Sequence, residues 1–271
     1  MIPADKHLQI GSLLFEDLDQ IDLTGPFEVL SRIPNSTYRI YGTTAGPVRD
    51  LKGLRMMPDA LYSDAPQLDV LHVPGGFGQE ALMENEPVLA WIRSQAANAI
   101  CVFSVCTGAL ICGAAGLLKG RRATTHWASM HLLPYFGAEA VDERVVLDGN
   151  IVFAAGVTAG IDGALRVAAE LRGDDVAQGI QLFMAYAPEP PFNAGTPETA
   201  PREVAEKARN AVAASRASAS RPRAASRSGS ASRCRPDLAL SGAHGSAAGT
   251  GRGHCLAPAR RLMSGHTKGP P

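Results

Sequence analysis

A chain of 271 residues, 45% hydrophobic and 19% charged, has the composition of a soluble globular protein. Its zero net charge averages two unlike parts: residues 1–213 hold sixteen basic and twenty-five acidic side chains, and residues 214–271 hold ten basic and one acidic. An acidic body excludes nucleic acid or an anionic membrane as its main partner, and five cysteines without a repeating spacing exclude a disulfide framework.

In chain order, Met1–Asp5 lacks the charged-then-apolar pattern of a secretory signal, and no apolar run reaches the roughly 18 residues of a spanning helix. A reducing cytoplasm is the expected compartment. Leu8–Phe15 reads as a strand, and Thr24-Gly25-Pro26 as the opening of a helix to about Arg32, with Pro at an early helical position. Tyr38–Tyr41 reads as a short strand and Val48–Met57 as a hairpin around Gly53. Asp69–Val73 is a strand ending in Pro74-Gly75-Gly76-Phe77-Gly78. Ala81–Glu84 and Pro87–Ala97 are helical, and Ile100–Val105 is a strand leading to Cys106. Val145–Leu147 and Ile151–Ala154, separated by Asp148-Gly149, form a hairpin, and helices follow over Ala159–Leu171 and Asp174–Ala185. This alternation predicts an α/β fold, an open and mostly parallel sheet sandwiched by helices.

Past residue 213 the composition shifts to Ala, Arg, Ser and Gly, with little apolar periodicity. Residues 206–213 read as a helical end or linker, and 214–271 as a disordered basic tail unable to offset its chain entropy. Such a tail can bind nucleic acid, and it would equally suit an out-of-frame read of a GC-rich gene. Cys234 and Cys255 lie in it and take no role.

The chemistry concentrates at strand exits, where open α/β sheets form their crevices. A buried strand breaks at Cys106, and Thr107-Gly108 open an Ala/Leu/Ile helix. An elbow of this kind exposes a nucleophile beside the free N–H groups of a helix start, which favour the thiolate. The bland alternative is a buried core cysteine. Asp17, Asp19 and Asp22 follow the first strand, and acids on such loops are usually just solvated. Asp22 differs, because Ile21 and Leu23 flank it and make burial and a raised pKa natural. The loop Gly75, Gly76, Phe77 and Gly78 could donate N–H groups to a developing negative charge, or simply be a tight turn. His126, beside Trp127, could be a general base for Cys106; otherwise Thr125 caps a helix and His126 packs locally. No His/Cys pair has zinc-ligand spacing, and His126 and His131 do not share a helix face, so no metal is expected.

Taken together, these segments resemble the ThiJ/PfpI superfamily, which shares a flavodoxin-like core with class I glutamine amidotransferases. The carriers are AspLeuThrGlyPro at 22–26, AspValLeuHisValProGlyGlyPheGly at 69–78, SerValCysThrGlyAla at 104–109 and ArgAlaThrThrHisTrpAla at 122–128. The likeness extends to the isonitrile hydratase branch through ValAspGluArgValVal at 141–146, ValThrAlaGlyIleAsp at 157–162 and the Pro-rich stretch 186–201. It covers roughly residues 8–205, so 1–205 is the expected domain.

The resemblance implies a cytoplasmic homodimer with active sites near the subunit interface. It implies Cys106 as thiolate nucleophile, Asp22 as its carboxylate partner and Thr107 as a supporting group. The implied substrate is a small isonitrile, hydrated to a formamide through a covalent thioimidate, with no cofactor. Thr107 stands where PfpI-type relatives carry His, so a Cys–His dyad is not expected. Phe103, Ala154, Ala155 and Gly163 also depart from the pattern: a small or polar residue, two glycines and a bulky aromatic are expected there. Two other classes fit the same core. An AraC-type regulator's ligand-sensing domain would add paired helix-turn-helix units. A glyoxalase or deglycase would place a glutamate at the first strand exit, where Glu16 is the candidate.

Overall fold

The computed structural model describes residues 2–219, with side chains through 215. In chain order, β1 (Leu8–Leu14) leads to α1 (Gln20–Leu30), then β2 (Ser36–Gly42) and the small hairpin β3 (Val48–Arg49) and β4 (Arg55–Met56). Next come β5 (Ala60–Leu61), β6 (Val70–Val73), α2 (Gln79–Leu82), α3 (Glu86–Asn98), β7 (Cys101–Val105) and α4 (Gly108–Ala114). β8 (Arg122–Ala123) and β9 (Glu139–Ala140) flank a 3-10 helix over Trp127–Phe136. β10 (Val145–Asp148), β11 (Ile151–Ala154), α5 (Ala159–Arg172), α6 (Asp174–Phe183) and α7 (Arg202–Ala219) complete the described residues.

Seven strands form one sheet in the order β10-β11-β7-β6-β1-β2-β5, parallel throughout except for β10, which closes an edge antiparallel to β11. The predicted architecture is therefore the observed one. β6 and β7 are buried at every position, as central strands covered on both faces must be. Their side chains alternate between two cores. One face packs Leu13, Leu71, Val102 and Phe153 against α3 and α4; the other packs Ile10, Val70, Phe103 and Val152 against α1, α5 and α6.

Several local expectations need correction. α1 begins at Gln20, four residues before Thr24, and Pro26 lies in its interior. The start is early because Leu18 bridges Gly76 and the Asp19 N–H donates to the Gly75 carbonyl, so the chain turns immediately after. Pro26 is tolerated because its ring fits against Gly160 of α5. α2 spans Gln79–Leu82 rather than Ala81–Glu84. α7 is helical through 206–213, expected as a helical end or linker, and runs six residues into the expected disordered tail, to Ala219; Arg202 pairs with Glu206 one turn on. The rest of the expected disordered tail, 220–271, lies outside the described residues. No helix among the described residues is long and apolar enough to cross a membrane.

Candidate active site

The elbow is present. Cys106 ends β7 with φ 56°, the left-handed region in which non-glycine residues are strained. Two bonds hold it there: its N–H donates to the Ala154 carbonyl at 2.9 Å, and its carbonyl accepts from the Thr125 hydroxyl at 2.7 Å. The thiol belongs to a residue only 5% exposed, with the Thr107 N–H and the Asp22 carboxyl within hydrogen-bonding reach.

Asp22 reaches this point from the first turn of α1 and is fully buried. Its Oδ2 accepts from the Gly75 N–H at 3.1 Å, and its Oδ1 has no partner of regular geometry. Burial, and then the charge of Asp19, hold the Asp22 carboxyl well above the usual carboxylate range; bonds to Cys106 and Gly75 only partly oppose them. Burial, and then the charge of Asp22, push the Cys106 thiol well above its ordinary value, with the Thr107 N–H working against them. The direction is opposite to that expected from the helix start alone, because desolvation outweighs a dipole acting over one turn. Burial disfavours a charge on either group, and a charged Asp22 disfavours a second charge on Cys106, so the two titrate as a pair. Burial also pushes Cys101 and Cys112 up to about 12, but neither sits at the elbow or has a carboxyl within hydrogen-bonding reach, as Cys106 does.

The glycine loop serves the pair rather than a substrate charge. The Gly75 N–H is committed to Asp22, the Gly76 N–H to the Thr107 hydroxyl at 2.9 Å, and the Gly78 N–H to the Asp17 carbonyl at 3.1 Å. A Cβ on Gly75 would lie 2.6 Å from the Thr107 N and 2.9 Å from Asp22 Oδ2, so only glycine admits the two partners this closely. The half-buried Phe77 continues the loop into α2.

His126 and Trp127 stand apart from the pair. Their rings, 5.1 Å between centroids, line a cleft of about 1000 Å³ whose other walls include Met130, Arg144, Val157 and Arg209 of α7. Its lining contains neither Cys106 nor Asp22. His126, not Thr125, caps the 3-10 helix, its Nδ1 accepting from the Ala128 N–H at 3.3 Å. Thr125 is the residue sequence reasoning missed: it lines the cleft and grips the Cys106 carbonyl. Both threonines are buried, and nothing in a ThrThrHisTrp run distinguishes which hydroxyl reaches the elbow. Among the described residues no cluster of three His, Cys, Asp or Glu could hold a metal.

Two departures from the family pattern explain one another. A Cβ on Gly163 would lie 2.7 Å from Cε2 of Phe103 and 3.1 Å from the Ala154 Cβ. The Phe103 ring therefore occupies the space an aromatic at 163 would take, and glycine there opens no extra pocket. Glu16 is exposed and accepts from the Arg49 N–H, so it is not the acid at the thiol.

The DJ-1/PfpI family pattern matches residues 9–170. An isonitrile hydratase of Pseudomonas putida is 52% identical over 208 residues, 77% of this chain and 91% of that protein. A ThiJ/PfpI family protein from Pseudomonas syringae, known from a crystal structure, superposes with a TM-score of 0.76 at 39% identity, covering 80% of this chain and 91% of that one. The HTH-type transcriptional regulator CdhR of Pseudomonas aeruginosa is 30% identical over 168 residues, but the match covers only 49% of the regulator.

Proposed function

Because the chain belongs to the DJ-1/PfpI family, we propose that it hydrates isonitriles, R–N≡C, to N-substituted formamides, with Cys106 as nucleophile and Asp22 as proton carrier. The observation that carries this reading is the buried pair of Asp22 and Cys106 at the elbow. A protonated Asp22 removes the charge that disfavours thiolate and supplies a donor to it, so one proton and one negative charge rest on the pair.

The sulfur bonds to the terminal carbon of the isonitrile, a carbon that accepts a soft nucleophile, while Asp22 delivers its proton to that same carbon. The product is a thioimidate, R–N=CH–S–Cys106, beside an Asp22 carboxylate. Water then adds across the C=N bond, its hydroxyl going to carbon and its hydrogen to nitrogen. As the C–S bond breaks, Asp22 takes the hydroxyl proton, sulfur leaves as thiolate, and R–NH–CHO is released. Thr107 holds the elbow against the glycine loop, and the Gly75 N–H fixes Asp22. The cleft walled by His126 and Trp127 adjoins the elbow through Thr125, which lines it and bonds the Cys106 carbonyl, and on this reading it takes the R group. The same reading makes the working unit a homodimer with its sites near the interface, which sedimentation equilibrium tests.

The test is formamide production from cyclohexyl isocyanide and para-nitrophenyl isocyanide by the native protein and by Cys106→Ala. Turnover by the native protein, lost in the variant, supports both reaction and nucleophile. A folded native protein that turns over neither substrate overturns the hydratase reading. A glyoxalase or deglycase reading is disfavoured because the acid at the thiol is Asp22, not Glu16.

A further inference from the structure

The first turn of α1 has a defect at its most important residue. Pro26 has no N–H, so the Asp22 carbonyl four residues earlier lacks the donor that an α-helix normally supplies. The Asp22 carbonyl is buried under the sheet, where an unpaired acceptor is costly.

His72 faces that carbonyl. It sits mid-way along β6, fully buried, in register with Ser12 of β1 on one side and Phe103 of β7 on the other. Its ring stacks on Phe103, 5.1 Å between centroids at 23°. Its Nδ1 lies 2.5 Å from the Ser12 hydroxyl, which in turn bonds the Tyr38 hydroxyl of β2. The ring also lies within reach of the Asp22 backbone carbonyl, and Nε2, the nitrogen left over, makes no hydrogen bond of regular geometry.

The direction of every proton in this row follows. The Asp22 carbonyl can only accept, so the ring hydrogen that faces it is on Nε2. Nδ1 of the neutral ring is then the acceptor nitrogen; Ser12 donates to it, and the Tyr38 hydroxyl, kept protonated by burial, donates to Ser12. Burial lowers His72 to about 3, so the ring stays neutral throughout the working range. A charged ring would donate from both nitrogens and break the row at Ser12.

We propose that His72 is a positioning residue for Asp22: its Nε2–H replaces the N–H that Pro26 lacks, and Ser12 and Tyr38 hold the ring in the tautomer that can do so. The row fixes the first turn of α1 and thus where the Asp22 carboxyl meets Cys106. It deepens the proposed hydration by naming what holds its proton carrier, but the geometry stands whatever the substrate is.

The test pairs a disruption with a repair. His72→Phe keeps a ring on Phe103 and removes both nitrogens; Pro26→Ala restores an N–H to the Asp22 carbonyl. Iodoacetamide labelling of the native full-length chain is followed against pH at the Cys106 peptide by mass spectrometry, alongside formamide turnover. Asp22 and Asp19 are the acids facing this thiol, with Asp50 and Lys52 acting on Asp19. In folded His72→Phe the labelling profile moves toward that of Asp22→Asn, and kcat falls about tenfold to a hundredfold with KM within twofold, as a misplaced group predicts. Adding His72→Phe to Asp22→Asn shifts the profile no further, and Pro26→Ala recovers most of the loss. Ser12→Ala, a milder change, moves the profile in the same direction and serves if His72→Phe does not fold. A folded His72→Phe with the native profile overturns the proposal, as does an equal loss in the Pro26→Ala background, which would mark His72 as packing alone. Labelling needs no isonitrile, so failure of the hydration reading leaves this result distinct.

Discussion

The two faces of the sheet are built from the same alternating strands and have different contents. The α3/α4 face is filled mainly by Leu, Val, Ile, Ala and Phe, with Leu110 and Ile111 fully buried beneath it and Ser104 of β7 as a buried hydroxyl beside Cys112. The α1/α5 face has a similar apolar frame, but Ser12 and His72 cross it in register, and Asp22 and Cys106 sit at its upper edge. Buried polar groups are tolerated only when each has a partner, and here the partners run from Tyr38 to Asp22. One face mainly holds the fold together, while the other gives up some stability to fix a reactive pair.

Substitutions can break this comparison at successive depths. Cys106→Ala should abolish formamide production, read by chromatography, while leaving thermal unfolding cooperative. Asp22→Asn should lower turnover by about 10²–10⁴, the range of a lost acid–base group. The same variant should be more stable than native protein at neutral pH. A carboxyl whose folded pKa lies above its unfolded 3.8 costs stability as pH rises through that interval, and the amide has no such charge to bury. Melting curves across pH 4 to 8 would then diverge with rising pH; parallel curves would contradict the buried-acid assignment. Thr125→Val removes the donor to the Cys106 carbonyl and should cost about 1–3 kcal/mol, with a clear loss of turnover. Gly163→Ala pushes a methyl into Phe103 and should cost about 1–3 kcal/mol, relieved by pairing it with Phe103→Leu. On the other face, Leu110→Ala should cost about 2–5 kcal/mol by denaturation yet leave turnover per folded molecule unchanged. If it reduced kcat as Thr125→Val does, the division of labour between faces would be lost.

The parts legible in the sequence were those governed by period and punctuation. Apolar runs located β6 and β7, and Asp148-Gly149 located the edge hairpin of β10 and β11. Flanking Ile21 and Leu23 marked Asp22 for burial. Other features were fixed by contacts between distant segments. Pro26 in mid-helix contradicts its commonest position, and the residues that accommodate it, Gly160 on α5 and His72 on β6, are both remote in sequence. The row of Tyr38, Ser12 and His72 joins three strands through register, which no local pattern encodes. The glycine loop could be found but not its allegiance, because its N–H groups face Asp22 and Thr107 only once β1 and β7 flank β6 in the sheet. The thiol's direction was missed because a helix-start argument contains no term for what lies on the other side of the sulfur.

The backbone at Cys106 has a consequence over longer times. At φ 56° a glycine or an asparagine would sit more easily than any residue able to carry out the chemistry. The scaffold thus has a standing bias toward losing its own nucleophile. A lineage released from selection for turnover should drift toward glycine or asparagine at this position and grow sturdier as it falls silent. Retention of cysteine at 106 is then a record that the reaction is still in use.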